Sequence, residues 1–194
     1  MKQNGLIRTA GKSRKIRRIE IMARKTVCIE REYGSNGRKI AEWLSRNTGI
    51  ELYDREALIK VAEENHLVTG DGMTEDEKRH QMHREAIKFL ADRGSCIFVG
   101  TCAAGVLQGR DRNINVFVKA DMESKVRWAM ASEKISREEA EKKIAEMDEK
   151  RSKIRDSYSV TECGDRVDYD LIITSSRFGI EGTAELIRSC MARA

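Results

Sequence analysis

The sequence predicts an α/β protein in which helices cover both faces of a parallel sheet. Three observations favour this class: apolar runs containing β-branched residues recur along the chain, they are continuously apolar rather than alternating, and stretches with helical spacing separate them. Strands buried on both faces give such continuous runs, and alternation of strands with helices is typical of parallel sheets. Because ligands of these sheets bind where the strands end, the residues after each strand are the first candidates for a site.

Five strands are predicted along the chain, separated by helical stretches. In order, the strands are TVCIE (26–30), IELYD (50–54), CIFVG (96–100), NVFVKA (115–120) and DLIIT (170–174). The predicted helices cover residues 37–49, 55–64, 74–94, 122–131, 136–158 and 179–192.

Local signals set the ends of several predicted helices. Thr74 with Glu77, and Ser136 with Glu139, have the spacing of a capping box, so each pair predicts a helix start. Gly49 follows the last residue of the first predicted helix, where a glycine commonly ends a helix. The absence of proline suits long, uninterrupted helices.

The positive charge of the chain is concentrated in its first 21 residues. That segment holds seven Lys or Arg and one acidic residue, against a formal net charge of +5 for the 194-residue chain, so residues 22–194 carry one net negative charge. We predict a basic, disordered leader at 1–21 and a single domain at 22–194. Alternatives for the leader are upstream sequence before a start at Met22, organelle targeting, and an arm that attracts nucleic acid.

Composition also predicts the environment of the protein. No apolar run approaches the ~20 residues of a membrane span, so no membrane partner is expected. Five cysteines without a C-x-x-C pair indicate reduced thiols and a cytoplasmic protein. His80 and His83 are three residues apart, and with charges crowded around them we interpret them as a solvated helix face rather than a metal site.

A loop with two glycines follows the first predicted strand and reads REYGSNGRK, residues 31–39. Gly34 and Gly37 permit unusual backbone angles, Asn36 is the non-glycine type that best tolerates positive φ, and Ser35 adds a hydroxyl. Backbone N–H groups of such a loop bind phosphate together with the N-terminus of the next helix. The common phosphate-loop lysine and its following Ser or Thr are absent, so a generic strand-to-helix turn remains the alternative.

Two cations of the loop are candidates for the role of the missing lysine. Arg38 is the first choice, because a guanidinium bridges two phosphate oxygens. Lys39 is the second choice. The alternative for both is an exposed position in the first turn of the helix.

The long predicted helix at 136–158 carries a second set of candidates. Asp148, Arg151 and Arg155 are spaced i, i+3 and i+7, so they share one face with Ile144. Two arginines beside an apolar residue suggest a face that closes over an anion. The alternative is a local Asp148–Arg151 pair worth about 0.2–0.5 kcal/mol.

The whole pattern resembles the cytidylate kinase-like family of P-loop proteins. REYGSNGRKIAEWLSRNTGIELYDREALI is similar to the family's REYGSGGREIA followed by YDRELI, and CIFVGTCAAGVL to its VIVGRCADYVL. The segment EEAEKKIAEMDEKRSKIRDSY resembles its lid, and YDLIITSSRFGIEGTAELI its last strand and helix. The match covers roughly residues 25–190 in order. It implies a three-layer P-loop NTPase fold with five parallel strands and a helical lid at about 127–158, and it makes the absent lysine a family trait.

The resemblance also implies roles for individual residues. Gly34, Ser35, Asn36, Gly37, Arg38 and Lys39 would bind the phosphates of ATP with its Mg²⁺, and Arg127 would join Arg38, Asp148, Arg151 and Arg155 in catalysis. Asp54 and Arg55 occupy the family's acceptor-nucleotide position, although Asp54 is also a predicted N-cap. Thr101 and Ala104 replace an arginine and an aspartate that help to recognise the acceptor in related cytidylate kinases.

These observations support an ATP-dependent kinase that phosphorylates a nucleoside monophosphate, with CMP or dCMP as the acceptor by resemblance. The alternative is a non-catalytic nucleotide-binding or regulatory protein on the same fold, which the missing lysine and the altered GTCAA segment (100–104) motivate. A third interpretation, nucleic-acid binding, would depend on the basic leader.

Overall fold

The central feature of the computed structural model is one parallel sheet of five strands in the order β2-β3-β1-β4-β5. The model describes residues 25–68, 72–110, 112–159 and 169–193, so the predicted leader at 1–21 lies outside the described residues. The strands are β1 (Thr26–Arg31), β2 (Glu51–Tyr53), β3 (Cys96–Val99), β4 (Asn113–Lys119) and β5 (Leu171–Thr174).

Helices connect the strands in the predicted alternation. They are α1 (Gly37–Thr48), α2 (Arg55–Glu64), α3 (Glu75–Arg93), α4 (Ala103–Val106), α5 (Met122–Glu133), α6 (Arg137–Ser159) and α7 (Ser175–Met191). The last helix begins four residues before its predicted start and is kinked at Gly179, where φ is 69°. The predicted helix at 179–192 is therefore its second part.

The predicted caps are confirmed by their hydrogen bonds. Thr74 and Glu77 form a reciprocal capping box at the start of α3. The side chain of Ser136 accepts the Glu139 N–H, and Glu139 accepts the Ser136 N–H, at the start of α6. Gly49 has φ of 70° and donates its N–H to the carbonyl of Ser45 at the end of α1.

The two faces of the sheet carry separate apolar cores, because successive strand residues point to opposite sides. On one face, Val27 and Ile29 of β1 pack with α1 and α7. On the other face, Cys28 and Phe98 pack with α2, α3 and α4. The sheet is thus covered on both sides.

A third, smaller core lies at the carboxyl end of the sheet. Val126 and Ala129 of α5 pack with Ala140 and Ile144 of α6, and Tyr33 from the loop after β1 joins them. This cluster lies in the region of the predicted lid and packs α5 and α6 directly against the loop after β1. It is the feature of the fold that matters most for the site.

Two predictions about side chains can be compared with the structure. Cys28, Cys96, Cys102 and Cys190 are free thiols, and Cys163 lies outside the described residues. The predicted solvated face for His83 is wrong: His83 is buried, and its Nε2 lies 3.1 Å from the carbonyl oxygen of Arg55. The charged neighbours lie on the other faces of α3, and the 3.6-residue period turns His83 toward α2.

The described helices were also compared with the requirements of a membrane span. None of them combines the length and the apolar composition that crossing a bilayer needs.

We predict that Leu44→Ala lowers the free energy of unfolding by about 2–5 kcal/mol, because Leu44 is fully buried between α1 and the sheet and its truncation leaves a cavity. The matched control is Leu186→Ala on α7, where the side chain is 41% exposed and a change below about 1 kcal/mol is expected. Urea unfolding measures both. Equal losses would contradict the assignment of this core.

Candidate active site

The phosphate loop, residues 31–37, connects β1 to α1 and has the geometry of an anion cradle. Gly34 and Asn36 both have left-handed backbone angles, with φ of 77° and 58°. A Cβ on Gly34 would lie 3.1 Å from the Cα of Lys125, so glycine also permits close packing on α5. Asn36 gives α1 no side-chain cap, which leaves the first N–H groups of the helix available to an anion.

Ser35 stabilises the loop through a hydrogen bond within it. Its side chain is buried, and Oγ donates to the carbonyl of Glu32 at 2.9 Å. The hydroxyl of Ser175 in turn donates to the Ser35 carbonyl at 2.7 Å, which ties the loop to the start of α7. The Ser35 hydroxyl, predicted to bind phosphate, is engaged within the loop in this structure.

The two predicted replacements for lysine lie in the first turn of α1 and are exposed. Arg38 donates to the carboxylate of Asp54 at 2.9 Å and to that of Glu42 at 3.2 Å. Both contacts raise the pKa of Arg38, and the hydrogen bond that it donates to Asp54 has the largest effect. Lys39 has no ion pair with any described residue. Both residues line a pocket of about 300 Å³ beside the loop.

A second pocket of about 260 Å³, here called the arginine cleft, lies where β1 and β3 end, beneath α6. Most of its lining residues are charged, and it contains most of the cations of the site. Its lining includes Glu30, Arg31, Asp54, Arg55, Gly100, Arg151 and Arg155. The structure therefore brings together the predicted residues Asp54, Arg55, Arg151 and Arg155, which are far apart in sequence, and Arg38 lines the same cleft.

Two guanidinium groups of the cleft are partly buried and have no carboxylate partner among the described residues. Neither Arg31 nor Arg151 has an ion pair within 4.0 Å among the described residues; Arg151 donates to the carbonyl of Arg31 at 3.2 Å. Burial, then the charge of Arg31, lowers the pKa of Arg151 to about 10, and burial lowers the pKa of Arg31. Both stay protonated at neutral pH, so the cleft favours an anion that would lie against them.

The space for the Arg31 side chain depends on a glycine. Gly100 follows β3 with φ of 62°, and a Cβ at that position would lie 1.5 Å from Nη1 of Arg31. The guanidinium therefore packs directly over the Gly100 backbone. Arg31 was not among the site residues predicted from the sequence, although its position at the end of a buried strand was an available signal.

A buried lysine that was not predicted from the sequence connects the loop to α6. Lys125 of α5, with a side chain 8% exposed, pairs with Asp148 at 2.9 Å and with Glu32 at 3.2 Å. Asp148 also accepts the N–H of Tyr33 at 2.6 Å. We call these residues the Lys125 cluster: Glu32, Tyr33, Lys125 and Asp148. Asp148, predicted as a catalytic residue, thus bonds to the loop backbone, and Arg151 one turn later reaches the cleft.

The predicted acceptor residues occupy different environments. Asp54 caps α2 by accepting the Ala57 N–H at 3.0 Å, as predicted, and lines the cleft. Arg55 is exposed at the cleft wall. Thr101 is buried, and its hydroxyl has no hydrogen-bond partner among the described residues. The structure does not bring Thr101 into the lining of the cleft.

Arg127 lies on the other side of the phosphate loop from the cleft arginines, in what we call the α7 pocket, of about 350 Å³. Its guanidinium donates to the Ser124 hydroxyl at 3.0 Å and is largely exposed. The pocket also contains Gly34, Asn36, Ser175, Ser176 and Gly179. The predicted grouping of Arg127 with Arg151 and Arg155 is not what the structure shows. Sequence reasoning missed the serines, although they directly follow β5.

No cluster of three or more His, Cys, Asp or Glu side chains with the spacing for a metal ion occurs in the described part of the chain. Asp121, which follows β4 and is a possible magnesium ligand by that position, accepts the Ser124 N–H at 2.8 Å and caps α5. A magnesium ion that enters with ATP would depend on phosphate oxygens for most of its ligands.

The model of the cytidylate kinase-like family matches residues 26–71 and 65–177. No curated protein sequence matches the chain significantly.

Solved structures show the same fold. An uncharacterized protein from Eubacterium ventriosum is 21% identical, with a TM-score of 0.70 over 88% of this chain and 99% of that one. Shikimate kinase from Bacteroides thetaiotaomicron is 12% identical, with a TM-score of 0.55 over 87% and 98% of the two chains. Shikimate kinase from Acinetobacter baumannii, in complex with shikimate, is 12% identical, with a TM-score of 0.54 over 91% and 97%. The predicted fold class is confirmed.

We predict that Lys125→Met lowers the free energy of unfolding by about 3 kcal/mol, because it leaves Glu32 and Asp148 partly buried without a cation. The control Lys142→Met removes a lysine that is 80% exposed and 3.9 Å from Glu146, so a change below about 1 kcal/mol is expected. Urea unfolding followed by tryptophan fluorescence compares the two. Similar midpoints for both variants would contradict the role of the Lys125 cluster.

Proposed function

We propose, because the chain belongs to the cytidylate kinase-like family, that it transfers the γ-phosphoryl group of ATP to a nucleoside monophosphate, with CMP or dCMP as the acceptor. The observation that carries this proposal is the pair of partly buried guanidiniums of Arg31 and Arg151, which have no carboxylate within 4.0 Å among the described residues and lie at the carboxyl end of the sheet.

The phosphate loop would hold the phosphates of ATP. The uncapped start of α1 offers backbone N–H groups and the positive end of the helix dipole. The α7 pocket adjoins the loop through Gly34 and Asn36, so it is the proposed site of the nucleoside part of ATP, with Arg127 at its rim. Mg²⁺ bound to ATP would neutralise charge on the phosphates, and Lys39 would add a cation in the first turn of α1.

The arginine cleft would hold the acceptor and the transferring group. Charge on a phosphoryl group in transfer is spread over its equatorial oxygens, and catalysis consists mainly of positioning and electrostatic stabilisation. Arg31 and Arg151 are fixed before substrate arrives, Arg31 by packing on Gly100 and Arg151 by its bond to the Arg31 carbonyl. Preoriented cations in a site that excludes water stabilise such charge more than mobile surface cations do.

Arg38 would connect the two substrate sites. Its contact with Asp54 joins the first turn of α1 to the first turn of α2, so the wall of the cleft is linked to the phosphate loop. In this arrangement Arg38 would influence the acceptor site through its ion pair with Asp54, unless the phosphates of bound ATP attract its guanidinium instead. That choice between Asp54 and phosphate is consistent with its 60% exposed side chain.

A non-catalytic nucleotide-binding protein is the second candidate function. The contacts of Arg38 favour this candidate. Arg38, the first choice to replace the missing lysine, pairs with Asp54 and Glu42 instead of pointing into the loop. Under this alternative, ATP would bind without acceptor-dependent turnover.

The two candidates predict different results in one assay on the full chain. Production of ADP from ATP and Mg²⁺ is measured without acceptor and with CMP, dCMP, UMP, AMP and GMP in turn, while ATP binding is measured by calorimetry. Turnover that requires CMP or dCMP is the result expected from the kinase proposal. ATP binding with no acceptor-dependent turnover would support the non-catalytic alternative.

We predict that Arg151→Ala lowers the turnover number by roughly 10²–10³-fold with little change in ATP affinity, because its guanidinium faces the cleft rather than the α7 pocket. The control is Arg188→Ala on α7, which removes a surface pair with Glu185 and is expected to leave turnover unchanged. Steady-state kinetics with saturating ATP measures both variants. Unchanged turnover in Arg151→Ala would remove Arg151 from the mechanism.

A further inference from the structure

One buried ionisable group of the arginine cleft has no role in the mechanism above. Glu30, in β1 directly before Arg31, is 6% exposed and lines the cleft. Its Oε1 accepts the backbone N–H of Cys102 at 2.8 Å. Its Oε2 makes no hydrogen bond or ion pair with any described residue. Half of the carboxylate is thus satisfied by the fold and half is available to a ligand.

The fold does not require a carboxylate at position 30. One backbone N–H needs one acceptor, which a neutral side chain supplies, whereas a carboxylate offers about four acceptor positions. Burial raises the pKa of Glu30, and the charge of Arg31 and the N–H of Cys102 act in the opposite direction. A buried carboxylate used at one oxygen is therefore costly unless a ligand supplies a further donor.

The surroundings of Glu30 determine which ligand satisfies it. Arg31 adjoins it on β1, Arg151 and Arg155 approach from α6, and Cys102 faces it from the turn after β3. The arginines attract an anion into the cleft, while the Glu30 carboxylate repels any anion that presents only acceptor oxygens to it. An anion that also carries a hydroxyl or amino group avoids that repulsion, so attraction and repulsion together select the ligand.

We propose that Glu30 is an acceptor-binding residue: Oε2 accepts a hydrogen bond from a hydroxyl or amino group of an organic phosphate whose charged group lies against Arg31 and Arg151. The ligand class is an anion with a hydrogen-bond donor, such as a nucleoside monophosphate, and not a bare anion such as pyrophosphate. The inference depends on the proposed function only for locating the acceptor in this cleft. It assigns selection of the acceptor to Glu30 of β1, because Thr101 is buried and does not line the arginine cleft.

Glu30→Gln tests the proposal without changing the size of the side chain. The Cys102 N–H requires an oxygen, so the amide oxygen takes the place of Oε1 and the NH₂ group takes the place of Oε2. The variant therefore presents a donor where the wild type presents an acceptor. It also removes one negative charge beside the arginines.

Two probes in calorimetric titrations without ATP give opposite expected results. CMP should bind Glu30→Gln roughly 10- to 100-fold more weakly than wild type, because a hydrogen bond to a charged group is lost. Pyrophosphate should bind as well as or more tightly than before, because a repulsive charge is gone. The control Glu64→Gln removes an exposed carboxylate at the end of α2 and should change neither affinity.

A ligand series on the wild-type protein gives an independent measurement in case Glu30→Gln does not fold. CMP is compared with UMP, which has a carbonyl in place of the 4-amino group, and with 2′-deoxy-CMP and 3′-deoxy-CMP, each of which lacks one hydroxyl. At least one of them should bind roughly 10- to 100-fold more weakly than CMP. Folded Glu30→Gln should show no such difference for that ligand.

Several results would overturn the proposal. They are equal loss of CMP and pyrophosphate binding in Glu30→Gln, unchanged binding of both, equal affinities across the wild-type ligand series, and wild-type binding of pyrophosphate but of no nucleoside monophosphate. Failure of the proposed function has a different signature. Donor-dependent CMP binding without ADP production would leave the role of Glu30 intact and remove the kinase activity.

Discussion

The rest of the site depends on the two ion pairs of the buried Lys125 ammonium group, with Glu32 and with Asp148. Burial lowers the pKa of Lys125, but the hydrogen bond and charge of Asp148 and the charge of Glu32 outweigh it, so the pKa is raised. A buried lysine that keeps its charge must keep its partners. Because these partners come from the phosphate loop and from α6, the neutralisation of one charge fixes three chain segments relative to one another. Arg151 lies one turn beyond Asp148, so its position in the cleft follows from the same contact.

Two pairs of arginines in the described part of the chain differ in their partners. On the surface, Arg137 and Arg188 pair with neighbouring carboxylates, which contributes little to stability and indicates no ligand. In the cleft, Arg31 and Arg151 are more deeply buried and have no such partner among the described residues. The cost of leaving them unpaired has to be offset by the remaining folding energy, to which the Lys125 cluster contributes. A site of this kind gives up stability for binding, as binding sites commonly do.

Local patterns predicted the fold well because they act over a few residues. The continuous apolar runs indicated the strands, and the Thr74 and Ser136 capping boxes indicated the starts of α3 and α6. The site depends on contacts between distant segments, which such patterns do not encode. Lys125 reads as an ordinary charged residue in a helix until Glu32 and Asp148 are brought beside it. Spacing correctly put Asp148 and Arg151 on one face, but only the fold shows that the first contacts Tyr33 and the second the cleft.

The bond between Asp148 and the Tyr33 N–H has a consequence for how ATP would be bound. In this chain the loop conformation is held by groups that belong to the protein. The Asp148 side chain accepts the Tyr33 N–H, the Ser175 hydroxyl donates to the Ser35 carbonyl, and the backbone of Lys125 packs against Gly34. A nucleotide entering such a loop would not have to order it, so less binding energy is lost as conformational entropy. The lysine that is absent from the loop sequence would otherwise supply charge to the phosphates and help to shape the loop around them. Here the shape is supplied in part by Lys125 from α5 and by Asp148 from α6. Under the proposed function the charge would come from Arg31, Arg151 and the start of α1, so the two tasks would be divided among several residues instead of being combined in one lysine.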